Sequence, residues 1–191
     1  GVQVFDNGVS TSASSTLAAL DSLHRGSPGA PQGTIHWIGG GASKGEDLLR
    51  IAADLHGALV RVHGRGWLFG AVANPLREAI ASQGRGSAPL DESTGPAGWH
   101  GEGAQPGQFP SRDDAPCTSF PSLDEAIQAA LKAAQPGDVV LFSPGFASFD
   151  AYANFKARAA AFHRILQRWR PSPTEPGSQR AAWPTPEQAE S

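Results

Sequence analysis

Short apolar runs and amphipathic helical stretches take turns along most of this chain, and that alternation limits the fold more than any other property of the sequence. Val2-Gln-Val-Phe5, Thr34-Ile-His-Trp-Ile38, Ala58 to Val62 and Asp138-Val-Val-Leu-Phe142 are runs of strand length. The last is the most apolar and is expected to lie inside a sheet, where both faces are covered. Between them, Leu17, Leu20 and Leu23 recur at helical spacing up to Gly26, and Leu48, Leu49, Ile51, Ala52 and Leu55 form a one-sided pattern from Glu46. Gly57 then reads as the C-terminal cap of that second helix. A weaker helix is expected over residues 71 to 82, beginning around Asn74-Pro75. Ser122-Leu-Asp-Glu125 fits a capping box that opens a helix running to about Ala134. From near Asp150 a final helix carries Tyr152, Phe155, Ala159, Phe162, Leu166 and Trp169 on one stripe. Strands separated by helices require crossover connections. The expected architecture is α/β, a three-layer Rossmann-like, mostly parallel sheet with helices on both faces.

Glycine and proline decide how much of the chain belongs to that sheet. Residues 84 to 118 hold 7 of the 23 Gly and 5 of the 16 Pro, and residues 171 to 191 hold 5 Pro and 1 Gly. We therefore expect one domain over residues 1–170, interrupted by a Gly/Pro-rich insertion at 84–118, and a disordered Pro-rich tail at 171–191. Trp99, His100, Phe109 and Trp183 in these two segments are read as ordinary exposed residues. A formal charge of -3, with no run of Lys or Arg, argues against nucleic-acid and membrane-surface roles. No apolar run reaches the roughly 18 to 20 residues of a membrane span. A single cysteine, Cys117, excludes an internal disulfide and suits a cytoplasmic location. The six histidines lack the spacing of zinc ligands, so no metal site is expected. The sequence has no Met and opens on a strand, as a piece of a longer chain would.

Parallel sheets build their sites from the loops that leave the carboxyl ends of the strands. Three such exits are rich in chemistry: Asp6 to Ser12, Gly39 to Asp47, and Ser143 to Asp150. The first offers Asp6, Asn7, Ser10, Thr11 and Ser12 as hydrogen-bonding groups. The second, Gly39-Gly-Gly-Ala-Ser-Lys-Gly-Glu-Asp47, joins a strand to a helix, so its amides favour an anion and Lys44 adds a cation. It lacks the Gly-Lys-Ser/Thr of a nucleoside triphosphate loop, and neither it nor Gly64-Arg-Gly66 with Gly70 has dinucleotide spacing. The third delivers Ser148 near the start of the last helix, to cap that helix or to hold a ligand carboxylate. No nucleophile and base stand together. Residue chemistry alone leads to a small anionic-ligand site on an α/β module.

The same three exits resemble the C-terminal domain of the Mur ligases, most nearly the members that add D-glutamate. Val4 to Leu20 is similar to the family's Asn-Asp-Ser-Lys-Ala-Thr-Asn stretch and its following Ser-Thr-x-Ala-Ala-Leu helix. Gly40-Gly-Ala-Ser-Lys-Gly-Glu-Asp47 resembles the Gly-Gly-x-x-Lys-x-x-Asp loop. Gln135 to Asp150, continuing through Asn154-Phe155, resembles the long Pro-Gly-Asp…Leu-Ser-Pro-Ala-x-Ala-Ser-x-Asp-x-Phe-x-x-Phe signature. The insertion has no counterpart. The resemblance implies that Thr11 and Lys44 bind one end of D-glutamate, that Ser148 and the backbone around Phe155 bind the other, and that Asp6 and Asn7 lie near the nucleotide. It implies an ATP-dependent, magnesium-supported ligase of peptidoglycan precursor synthesis, and so of cell shape and division, acting in the cytoplasm. The carboxylate of UDP-N-acetylmuramoyl-L-alanine becomes an acyl phosphate, which the D-glutamate amine attacks. It also implies that ATP and the UDP-sugar are bound mainly by central and N-terminal domains outside these 191 residues. Two positions depart from the family: Val9 stands where many members carry a lysine, and Asn7 where they carry the Asp. Val9, with the domains expected outside these residues, motivates an alternative, a non-catalytic module that binds an acidic amino acid or a partner; a related ligase using another amino acid is a third reading.

Overall fold

In the computed structural model of the protein, residues 1–23, 33–84 and 116–169 are described. Most of the 84–118 insertion and all of the 171–191 tail, with Trp99, His100, Phe109 and Trp183, lie outside them. The elements in order are β1 (Gln3–Asp6), α1 (Ala13–Ser22), β2 (Ile35–Gly40), α2 (Leu48–Val62), β3 (Gly64–Phe69), α3 (Ala73–Gln83), β4 (Cys117–Ser119), α4 (Leu123–Ala133), β5 (Val139–Gly145) and α5 (Phe155–Arg168). They form one five-stranded sheet of order β1-β5-β2-β3-β4, and each of its four strand pairings is parallel. All the exits therefore face the same edge.

Two apolar clusters cover the sheet. On one face Ile35, Trp37, Leu68 and Leu141 meet Leu20 of α1, Leu55 and Leu59 of α2, and Leu76 and Ile80 of α3. On the other, Ile38, Phe69, Val140 and Phe142 meet Ile127 and Leu131 of α4 and Phe162 of α5. Phe142 and Phe162 stack with centroids 4.2 Å apart, an arrangement that adds about 1 kcal/mol to simple burial. Every residue of β2 and β5 is buried, as continuous apolar runs require. The expected α/β arrangement with helices on both faces is what the structure has.

Several boundaries differ from the sequence reading, and each difference has a physical cause. Residues 58–62 are not a strand: α2 runs through Gly57 to Val62, because Ala52, Leu55, Ala58, Leu59 and Val62 keep one buried face. His63, in the left-handed conformation at φ 51°, ends the helix in place of Gly57. The third strand is instead Gly64–Phe69. Its glycines disguise it, yet a Cβ on Gly66 would collide with the Cys117 thiol on the neighbouring strand. Cys117 itself belongs to β4 and is buried, so the insertion ends earlier than 118. Burial pushes its thiol up to about 12, which leaves it unreactive. Ser122 caps α4 through the Glu125 amide (3.2 Å), but the Glu125 carboxylate accepts from the Ser122 hydroxyl (3.1 Å) in place of its amide. The last helix starts at Phe155, five residues after Asp150.

Candidate functional site

Strand order sets β1, β5 and β2 side by side, so the three chemically rich exits are neighbours at one edge of the sheet. The β2 and β5 exits are joined directly: Ala42 donates to the Ala147 carbonyl (2.9 Å) and Ala147 donates back to Ala42 (3.1 Å). Gly40 and Gly41, at φ 136° and 132°, permit this approach. A Cβ on Gly40 would run into the Phe69 carbonyl, and one on Gly41 into the Ala147 carbonyl. The β1 exit is held by hydroxyls beneath the surface. Thr16 Oγ1 lies 3.0 Å from the Ser143 carbonyl and hydroxyl, Ser10 Oγ lies 3.2 Å from Thr16 Oγ1, and Asn7 donates to the Ser143 hydroxyl at 3.1 Å. The β3 exit joins too, because the Ala71 amide donates to the Asp150 carboxylate (3.0 Å).

Lys44 and Thr11, expected at one end of a ligand, come together: the Lys44 ammonium donates to the Thr11 carbonyl at 3.5 Å, the long limit of a hydrogen bond. Lys44 is exposed and Thr11 half-buried. The loop around Lys44 differs from the expected anion cradle. Its amides at 41, 42, 44 and 45 go to Phe69, Ala147, Glu46 and Ser43, and Asp47 caps the Leu49 and Arg50 amides of α2. With those amides engaged, the cation that this exit presents among the described residues is the Lys44 side chain. Glu46 stays ionised beside it: burial opposes the charge, but the Ser43 hydroxyl, the Glu46 and Lys44 amides and the Lys44 charge hold its carboxyl below the usual value.

Ser148 follows β5, and Phe155 is the first residue of α5. Ser148 is buried, and its carbonyl accepts from Ala151 and Tyr152 to turn the chain toward α5. It does not cap the helix; Asn154 does, accepting from the Ala157 amide at 2.9 Å. No described residue accepts from the Phe155 or Lys156 amides, so the first turn of α5 offers two donors beside Phe155. Asp6 and Asn7, by contrast, are engaged within the domain: Asp6 accepts from the Gly8 amide (2.7 Å) and pairs with His163 (2.7 Å), and Asn7 turns inward to Ser143. Val9 is exposed next to them.

One residue central to the site escaped the sequence reading. Arg158 of α5 is completely buried, and its guanidinium donates to the Phe146 carbonyl (2.8 Å) on the β5 exit and to the Ser10 carbonyl (3.1 Å) on the β1 exit. Among the described residues its Nε has no partner. Burial pulls its pKa down to about 10, against the opposing pull of Asp150 and Tyr152, so it remains charged at neutral pH. The signal was available. Arg158 lies three residues after Phe155 and four before Phe162, on the apolar stripe, where a charge needs a structural reason.

A parallel α/β sheet whose Gly-Gly-x-x-Lys loop and Ser-Pro-x-x-Ala-Ser turn meet at one edge is consistent with the Mur ligase resemblance, and comparison with known proteins agrees: over most of its length the chain is similar to D-glutamate ligases. It is 32% identical over 168 residues to the UDP-N-acetylmuramoylalanine–D-glutamate ligase of Pseudomonas fluorescens, a match covering 87% of this chain and 29% of that protein. The ligases of the same name from Sphingopyxis alaskensis and Cupriavidus pinatubonensis are 28% and 29% identical, with 87% of this chain and 29% and 25% of theirs covered. No family model matches the chain. The sequence thus spans between a quarter and a third of the length of these relatives. Among the described residues no helix is long and apolar enough to cross a membrane.

Proposed function

We propose that this chain is the amino-acid-binding part of an ATP-dependent amide ligase that adds D-glutamate to UDP-N-acetylmuramoyl-L-alanine in peptidoglycan precursor synthesis. The observation that carries the reading is the similarity to D-glutamate ligases over 87% of the chain. The convergence of its three exits at one sheet edge supports it. A dicarboxylate needs a cation at one end and fixed donors at the other. Lys44 beside Thr11 supplies the first, and the Ser148 hydroxyl with the free amides at the start of α5 supplies the second. Held at both ends, the amino acid keeps its amine free, and amide formation gains from fixed orientation of the attacking nitrogen.

These residues do not themselves fit a nucleotide or magnesium. Asp6 and Asn7 are taken up by Gly8, His163 and Ser143, and no phosphate loop is present in the sequence. In this reading ATP, magnesium and the UDP-sugar are bound by the N-terminal and central domains of a longer chain, which also form the acyl phosphate, and the 191 residues alone are inactive. The expected setting is the cytoplasm.

Ligand-observed NMR on the chain with D-glutamate, L-glutamate, L-lysine and diaminopimelate tests the amino acid. Preference for D-glutamate, weakened about tenfold by Lys44→Ala and by Ser148→Ala, is the expected result. Equal binding of all four, or affinity untouched by both substitutions, removes the assignment. In the full-length enzyme the same two changes should raise the D-glutamate KM; an unchanged KM removes Lys44 and Ser148 from the site, and D-glutamate binding without any ligase activity favours the non-catalytic module.

A further inference from the structure

The two carbonyls that accept from Arg158 are placed tellingly. Ser10 is the residue before Thr11, and Phe146 stands two before Ser148. One planar guanidinium therefore grips the backbone behind each half of the amino-acid site at once. Gly41, on the exit that carries Lys44, packs against the same group: a Cβ there would lie 3.1 Å from Nη1. A completely buried cation costs several kcal/mol in desolvation, and no described residue pairs with its Nε. An apolar residue would fill this position of α5 at lower cost, so the charge is spent on geometry.

We propose that Arg158 is a positioning residue that sets the distance between the Thr11–Lys44 and Ser148–Phe155 halves of the site, and thereby the chain length of the amino diacid that fits. This rests on the amino-acid-site reading above. A rigid fork with fixed spacing between its nitrogens can hold two carbonyls at a set separation; a lysine ammonium is a single point on a flexible stem and cannot. Arg158→Lys keeps the charge and loses the span.

The test compares D-glutamate with D-aspartate, one methylene shorter, on the full 191-residue chain and on R158K, followed by amide NMR shifts of the folded population. Those signals report folded molecules alone, so reduced stability does not blur the reading; R158M, which fills the same space, serves if R158K populates too little folded chain. The expected result is a D-glutamate affinity at least about tenfold weaker, with the preference over D-aspartate reduced toward unity. Wild-type affinity and preference in the variant overturn the proposal and leave the site reading intact. Equal proportional loss for both ligands overturns it as well, because a purely structural role would move both alike. A wild-type chain that binds neither ligand overturns the site reading and this proposal with it.

Discussion

Asp138 shows how one residue at the other end of the sheet can govern stability. Its carboxylate accepts from the Thr34 amide (2.7 Å), the Gln135 amide (2.8 Å) and His36 Nε2 (3.1 Å). Trp67 Nε1 can only donate, and it donates to His36 Nδ1 (3.2 Å), so Nδ1 is unprotonated and Nε2 carries the hydrogen that faces Asp138. Burial raises the Asp138 carboxyl, but the donors from Gln135, His36 and Thr34 outweigh it and hold the group below its usual value of 3.8. A carboxyl depressed on folding contributes stability that is complete above the unfolded value and is lost as pH falls through the folded one. Denaturant unfolding should therefore show a stability loss that begins near pH 4 to 5 and deepens below the ordinary carboxyl value. Asp138→Asn should lower stability at pH 7 by about 1 to 3 kcal/mol, since it leaves buried donors without an acceptor, and should flatten that acid limb. An acid limb equally steep in the variant would place the titrating group elsewhere. In the sequence Asp138 stands only as the first residue of a strand and part of a family signature; its three donors come from segments up to 104 residues away, which no local pattern reveals.

Elements were legible where one rule dominated and misread where two competed. The apolar runs of β2 and β5 and the Ser122 cap of α4 each had one strong signal, and each stands within a few residues of its expected place. In α2, Gly57 suggested a stop while the spacing of Leu55, Ala58, Leu59 and Val62 continued the buried face. Burial of that face outweighs the roughly 1 kcal/mol that a mid-helix glycine costs. Gly57 thus sits inside a regular helix without need of its special freedom, since among the described residues a Cβ there would meet the Arg61 guanidinium alone, at 3.5 Å. Gly57→Ala should stabilise the protein by about 0.5 to 1 kcal/mol, raising Tm by roughly 2 to 6 °C. A lower Tm would mean that Gly57 serves the chain in some way the helix does not show. The candidate site divides along the same line. Lys44, Ser148 and Phe155 follow from short motifs, whereas Arg158 joins Ser10 across 148 residues and is visible only as a charge on an apolar stripe.

At the scale of the whole molecule, the order of the sheet predicts which parts can open alone. β2 and β5 are central, buried along their whole length, and covered by both helical layers. β1 at one edge has 4 residues with Gln3, Phe5 and Asp6 exposed, and β4 at the other has only 3. Edge strands this short contribute few buried contacts, so their opening costs less than global unfolding. In native-state hydrogen exchange, the amides of Trp37, Ile38, Leu141 and Phe142 should exchange only through global unfolding, with denaturant dependence equal to that of the whole transition. Amides of β1 should exchange through a smaller opening that depends weakly on denaturant. The strand exits complicate this in an informative way. Thr16, Ser143, Ser10 and Arg158 bind the β1 exit to β5 and α5 by buried hydrogen bonds, although β1 itself is peripheral. The Gly145 amide, which donates to the Ser10 carbonyl at 3.3 Å, should therefore be protected well above the β1 strand that leads to it. If it exchanged as fast as β1, the first exit would not be fixed to the rest, and the site edge would be held by β2 and β5 alone.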